Sequence, residues 1–154
     1  MRTSSHALAL SFLAALLLAP VRSAAGVLAP EPGCITPTAA VADFVDAWLG
    51  SFMTNGIAGF PKLCEKICKE GIKGCDRVRR DNLSCNLDSL DALAGVDAIQ
   101  CRETPEPGRT ACLQDVAELV FQRRALFASD ATGASNSCAA AANECVAFCT
   151  GNPI

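Results

Sequence analysis

Ten cysteines (Cys34, Cys64, Cys68, Cys75, Cys85, Cys101, Cys112, Cys138, Cys145 and Cys149) are the residues of this chain with the widest chemical range. A cysteine can act as a nucleophile, as a soft-metal ligand or as half of a disulfide. An even count in an exported chain reads as a disulfide framework, whereas a free catalytic thiol would require an odd one out. The other side chains narrow the choice further. The single histidine, His6, lies in the leader, and the chain has no tyrosine. Ser-His-Asp and Cys-His catalysis, histidine-bearing zinc sites and a histidine pH switch near neutrality are therefore excluded. Carboxylates are scattered singly (Asp43, Asp46, Asp88, Asp91, Asp97, Asp115, Glu118). Asp88 and Asp91, three residues apart, read as charge at a helix start rather than as an acid/base pair. The chain is expected to be a non-enzyme with no catalytic residue, cofactor or bound metal.

The spacing of the cysteines says how they pair. Cys64-x3-Cys68-x6-Cys75 is mirrored by Cys138-x6-Cys145-x3-Cys149. Pairing Cys64 with Cys149, Cys68 with Cys145, Cys75 with Cys138 and Cys101 with Cys112 gives residue numbers that add to one constant total, as two antiparallel helices folded about a single turn must. The midpoint falls between Glu106 and Pro107, within the turn-forming run Glu103-Thr104-Pro105-Glu106-Pro107-Gly108. Positions i, i+4 and i+11 rotate by only about 0°, 40° and 20°, so these cysteines share a helix face. Cys34 and Cys85 are left over and pair by elimination. A disulfide holds Cα atoms about 5.5 Å apart, closer than packed helix axes, so small residues are expected between bridges. The register sets Gly71 against Ala142 and Gly74 against Ala139, then Leu87 against Leu126 and Leu93 against Val120.

A second pattern is charged. Lys62, Lys66, Lys69, Lys73, Arg77 and Arg80 follow one another at steps of three and four residues, a basic stripe along one helix face. Such a stripe suits an anionic surface such as lipid headgroups, an acidic glycan or an acidic partner. It also suits the solvated back of a helix whose Leu63, Ile67 and Ile72 face inward, and Glu65, Glu70 and Asp76 dilute it. Asn82-Leu83-Ser84 fits an N-glycosylation acceptor.

Helices must position these residues, behind an export leader. Arg2 is followed by the apolar run Ala7 to Ala19 and by small residues at Ser23 to Ala25, the pattern of a secretory signal peptide over residues 1–25. A Pro-rich lead-in covers 26–37 and a single cysteine-rich helical domain 38–151. The leader's apolar run is too short to span a bilayer, so the protein is not expected to be an integral membrane protein. Cys34 lies too far downstream of it to carry a lipid anchor. No Arg-Arg pair precedes the run, so export is expected of an unfolded chain. Without the leader, eleven basic residues face sixteen acidic ones, which argues against nucleic acid as a partner. The expected destination is extracellular or periplasmic.

Helical periodicity runs through the whole domain. Val41, Phe44, Val45, Trp48, Leu49 and Phe52 recur behind Thr38, a candidate N-cap, in a first helix ending at Asn55-Gly56. Trp48 reads as a core anchor. A second helix starts at Pro61 and breaks near Asp81-Asn82-Leu83-Ser84-Cys85-Asn86. A third buries Leu87, Leu90, Leu93, Val96 and Ile99. A fourth follows Thr110 and weakens at Ser129 to Gly133, and a fifth covers Ala134 to Phe148. No stretch alternates as a strand does. The fold class is all-α: a disulfide-laddered antiparallel helical hairpin with bent arms, about five helices in total.

Three resemblances are carried by short motifs. Cys64-x3-Cys68 with Cys145-x3-Cys149 resembles the twin CX3C hairpins of small mitochondrial intermembrane-space chaperones, in which two disulfides clamp antiparallel helices. The clamp is what is shared, since here a long stretch and three further bridges intervene. Cys64-x3-Cys68-x6-Cys75 is similar to part of the Frizzled-type cysteine-rich domains, over about a dozen residues and without their upstream cysteines. The CX3C cysteines also resemble those of copper-storage four-helix bundles, which implies Cu(I) held by thiolates, usually beside His or Met. After the leader, this chain offers only Met53. The leading expectation is a secreted interaction or scaffold module, with an unknown protein or anionic surface as partner. The alternatives are a carrier of a small apolar ligand or lipid, favoured by the apolar composition and the Ala139 to Ala142 segment, and thiolate metal storage.

Overall fold

The computed structural model describes residues 28–54 and 60–151. The leader lies outside them, as does the expected end of the first helix at Asn55-Gly56. Among the described residues there are three helices and no strand: α1 (Pro37–Thr54), α2 (Pro61–Glu103) and α3 (Gly108–Thr150). The sequence predicts five helices and bent arms, and here the structure differs. The second and third predicted helices are one 43-residue helix, α2, and the fourth and fifth are one 43-residue helix, α3. The reason lies in what the supposed breakers do with their side chains. Asn82 donates to the Val78 carbonyl (2.8 Å) and Asn86 to the Asn82 carbonyl (2.8 Å), four residues back within the same helix. Thr132 and Ser137 donate likewise to Ala128 and Gly133. Side chains that cap a helix end elsewhere here bond carbonyls inside a continuing helix.

The helix starts also differ from expectation. Thr36, not Thr38, supplies the cap of α1, accepting from the Ala39 N–H at 3.3 Å, with Pro37 in the first helical position. The Thr38 N–H donates to the Asp130 carboxylate (2.9 Å) and its hydroxyl to the Asp130 carbonyl (3.1 Å), so α3 places an anion at the N-terminus of α1. At α3, the Thr110 N–H and hydroxyl both reach the Glu106 carboxylate (3.4 and 3.1 Å), and the helix begins at Gly108. Its far end closes on Gly151, whose φ of 71° is the left-handed conformation that glycine adopts without strain.

Five disulfides tie the elements together: Cys64–Cys149, Cys68–Cys145, Cys75–Cys138 and Cys101–Cys112 between α2 and α3, and Cys34–Cys85 between the lead-in and α2. The first four are the pairs of the constant-total register and Cys34–Cys85 is the pair left over; across all five the Cα atoms lie 5.5 to 5.9 Å apart. The register continues between the bridges. On α2 the seam positions Cys64, Cys68, Cys75, Arg79, Asn86, Leu90, Asp97 and Cys101 alternate steps of four and seven residues. On α3 Cys112, Val116, Arg123, Phe127, Ala134, Cys138, Cys145 and Cys149 do the same. An eleven-residue repeat corresponds to about 3.67 residues per turn, close to the natural helix, so one face stays on the seam along both long helices.

The core lies where α1 crosses this antiparallel pair. Leu49 and Phe52 pack with Cys64, Cys68, Ala141 and Cys145, and Val41 with Cys75, Ala134 and Cys138. The sulfur bridges are thus themselves core. Gly71 and Gly74 have a different role from the one their spacing suggests. Ala139 is exposed, and the two glycines instead receive aromatic rings from α1: a Cβ at Gly71 would fall inside the Trp48 indole, and one at Gly74 would lie 2.6 Å from the Phe44 ring. Trp48 is half-buried in that slot, with ring centroids 6.2 Å from Phe44.

Candidate functional site

The lead-in continues the cover that α1 begins. Asn86 is fully buried and uses its whole amide: Oδ1 accepts from the Glu31 N–H (2.9 Å), and Nδ2 donates to the Ile35 (2.7 Å) and Asn82 carbonyls. Glu31, also buried, meets Arg123 at 2.8 Å, and Arg123 donates to the Ala29 carbonyl while its guanidinium lies over the Phe127 ring. Sequence reasoning named Phe127 only as an apolar residue of the fourth expected helix and Asn86 only as part of a helix break, and it did not single out Arg123. The usable signal was the four-seven spacing, which places all three on the seam when it is continued past the cysteines.

Beyond these anchors the cover stops. The α2–α3 pair continues as a distal arm, residues 88–126, which among the described residues meets only the lead-in at its root. Of the five residues expected on one buried side, Leu87 is half-buried and Leu90 buried, whereas Leu93, Val96 and Ile99 are exposed. The expected matches of Leu87 with Leu126 and Leu93 with Val120 likewise leave Leu126 and Leu93 in solvent. Among the exposed large apolar side chains of the arm, exposure runs from 43% at Leu93 to 70% at Phe121. Leu93, Val96, Leu119 and Leu126 fall on the same side of the pair as the α1-covered face, by helical phase. Periodicity identifies apolar positions but carries no information about where α1 ends. A cleft of about 160 Å³ opens where the lead-in stops, between Glu31, Leu90, Asp97, Val116 and Arg123.

The predicted basic stripe is present as a continuous exposed face. Lys62, Lys66, Lys69, Lys73, Arg77 and Arg80 are all exposed. Lys69 pairs with Glu65 at 2.8 Å and Lys73 with Glu70 at 3.0 Å. The Lys69 ammonium, by hydrogen bond and charge, holds the Glu65 carboxyl below its usual range. The predicted burial of Leu63, Ile67 and Ile72 behind the stripe is corrected at one position: Ile67 and Ile72 are half-buried, but Leu63 is 48% exposed.

The carboxylates are not assembled for chemistry. Asp88 accepts from the Ser84 hydroxyl (3.2 Å) and Asp91 from Arg124 across the pair (2.6 Å). Neither is at a helix start, because α2 runs through. Asn82 is half-buried mid-helix with its amide on Val78, a poor setting for a glycan. Among the described residues the tightest group of metal-ligand types is Cys68, Cys145 and Cys149, whose sulfurs lie within 4.8 Å of one another. All ten cysteines are in bridges, so that group presents disulfide sulfurs and not thiolates. No described helix is long and apolar enough to cross a membrane.

Comparison with protein-family models, curated proteins and solved structures finds no match. The functional reading therefore rests on the residues above.

Proposed function

We propose that this protein is a non-catalytic, secreted interaction module whose bridged base holds the distal arm out toward a protein partner. The observation that carries the reading is the apolar side of the arm, Leu93, Val96, Leu119 and Leu126, left open where the α1 cover ends. Contiguous exposed apolar surface of this kind marks interaction sites in soluble proteins. Two features make the arm suited to presentation: the Cys101–Cys112 bridge fixes its tip, and the Asn86–Arg123 anchors fix its root. The five bridges are consistent with an oxidising, secreted environment.

The test compares what native protein retains from its own extracellular fluid with what two variants retain. Leu93→Asp with Leu119→Asp should lose a specific partner, and Lys66, Lys69 and Lys73→Glu should keep it. Equal retention by the arm variant would overturn the reading. The apolar-carrier alternative draws support from a slot of about 370 Å³ beside Ile72 and Val146, and lipid in an organic extract of native protein would rank it first. Thiolate metal storage would require reduced cysteines, so about ten free thiols with bound metal, counted on the native protein, would favour it.

A further inference from the structure

The opposite end of the molecule, where the two long helices are farthest from their connecting turn, carries a second exposed surface of different chemistry. Three depressions surround the first turns of α2 and run into one another. A slot of about 370 Å³ is lined by the apolar Pro61, Ile72 and Val146 together with Glu65 and Lys69. A hollow of about 470 Å³ shares Glu65, Lys69 and Ile72 with it and adds Lys62, Lys66 and Lys73. The third is lined by Phe60, Pro61, Lys62 and Leu63. Phe60 is 66% exposed, Leu63 48% and Val146 47%. A row of lysines is thus flanked on both sides by exposed apolar side chains.

Charge is segregated in the same sense. Residues 62–80 hold seven basic and three acidic groups, and the rest of the described chain four basic and thirteen acidic. Glu65 and Glu70 occupy Lys69 and Lys73, while Lys62, Lys66, Arg77 and Arg80 meet no carboxylate among the described contacts. We propose that this end is a docking site for an anionic lipid bilayer, with the lysines at the phosphates and Phe60, Leu63 and Val146 in the interfacial layer. A soluble polyanion would engage the lysines alone and leave Phe60 and Leu63 in water. A bilayer surface takes up both kinds of group together. The acidic remainder is repelled from the same surface, which turns the distal arm toward solvent. This inference uses none of the arm residues, so it and the proposed function fail separately.

Flotation of the oxidised full-length mature protein with vesicles tests it. Binding is expected to mixed phosphatidylcholine and phosphatidylglycerol vesicles, to fall with added salt, and to be absent on phosphatidylcholine alone. Replacing Lys62, Lys66 and Lys69 by Glu should weaken it by about 100-fold or more, at roughly fivefold per lysine near an anionic surface. Phe60→Ser with Leu63→Ser should weaken it by about tenfold while preserving the salt dependence. Both changes fall on exposed side chains, and an unchanged disulfide map and far-UV spectrum verify the fold. The arm variant Leu93→Asp with Leu119→Asp should float like the wild type. Absence of flotation, or flotation indifferent to Phe60 and Leu63, overturns the proposal. So does binding to dextran sulfate without binding to vesicles, which would assign the lysines to a soluble polyanion.

Discussion

Gly71→Ala should destabilise the docking of α1, although the same substitution at Gly95 of the same helix should stabilise the protein. Both glycines lie inside α2, where alanine is favoured over glycine by about 1 kcal/mol. At Gly95 nothing lies within 4 Å of the added Cβ, so that gain should appear undiminished. At Gly71 the Cβ falls inside the Trp48 ring, and the ring must move away from the seam. Overpacking of this kind costs roughly 1 to 3 kcal/mol. Subtracting the helix gain leaves a net loss of up to about 2 kcal/mol, opposite in sign to Gly95→Ala. Trp48 is the only tryptophan, so its emission during denaturant unfolding with the bridges intact reports on this contact. The expected result is a lower unfolding midpoint and a red-shifted native emission for Gly71→Ala. Shortening the ring in Gly71→Ala/Trp48→Leu, with unfolding followed by far-UV circular dichroism because the tryptophan is gone, should recover most of the loss relative to Trp48→Leu alone, as coupling between touching residues requires. A Gly71→Ala protein as stable as Gly95→Ala, with unchanged emission, would refute the idea that the glycine exists to seat the ring.

Other perturbations test other contacts. Asn86→Ala removes the bonds to Glu31 and Ile35, each worth about 1 kcal/mol, and should abolish amide-exchange protection at Glu31 while the Cys34–Cys85 bridge remains closed. The Glu65 carboxyl should titrate below the usual glutamate range and return to it in Lys69→Ala, as followed by NMR. Because its folded value is lowered, the pair persists above the ordinary range and is lost as pH falls through the lowered value, with no measurable change in stability since Glu65 is fully exposed. Leu93→Asp with Leu119→Asp should change the unfolding free energy, measured by denaturant titration, by no more than about 0.5 kcal/mol per site, as expected of exposed positions. Replacing Cys64 and Cys149 by Ser should cost less than the ~4.6 kcal/mol of a free loop that long, because Cys68–Cys145 already closes nearly the same loop.

The parts of the fold that depend on a covalent constraint were legible in the sequence. A bridge can form only where two residues meet, so mirrored cysteine spacing carries both the pairing and the antiparallel direction of α2 and α3. Helix boundaries were less legible, because Asn82, Asn86 and Thr132 carry side chains that serve a cap or a continuing helix equally well. The choice depends on what packs alongside. The same holds for Gly71 and Gly74: small residues signal close approach, but not whether the approaching group is a facing helix or an aromatic ring from α1. The basic stripe was visible as a periodicity. Its apolar flank was not, since Leu63 has the phase of an inward residue and is exposed only because the described part of α1 does not cover it.

The ladder between α2 and α3 has a consequence for connectivity. In an ordinary chain each peptide bond is the sole link between the residues on its two sides, and one hydrolysis yields two molecules. Here any cut between Cys64 and Cys149 leaves both pieces joined by at least one bridge. Hydrolysis by a protease within the turn at Thr104 to Pro107 adds one water molecule to the protein and releases nothing. The two helices would then be separate chains in a single covalent object. An extracellular protein built this way can be damaged in its backbone repeatedly before it loses any of its mass.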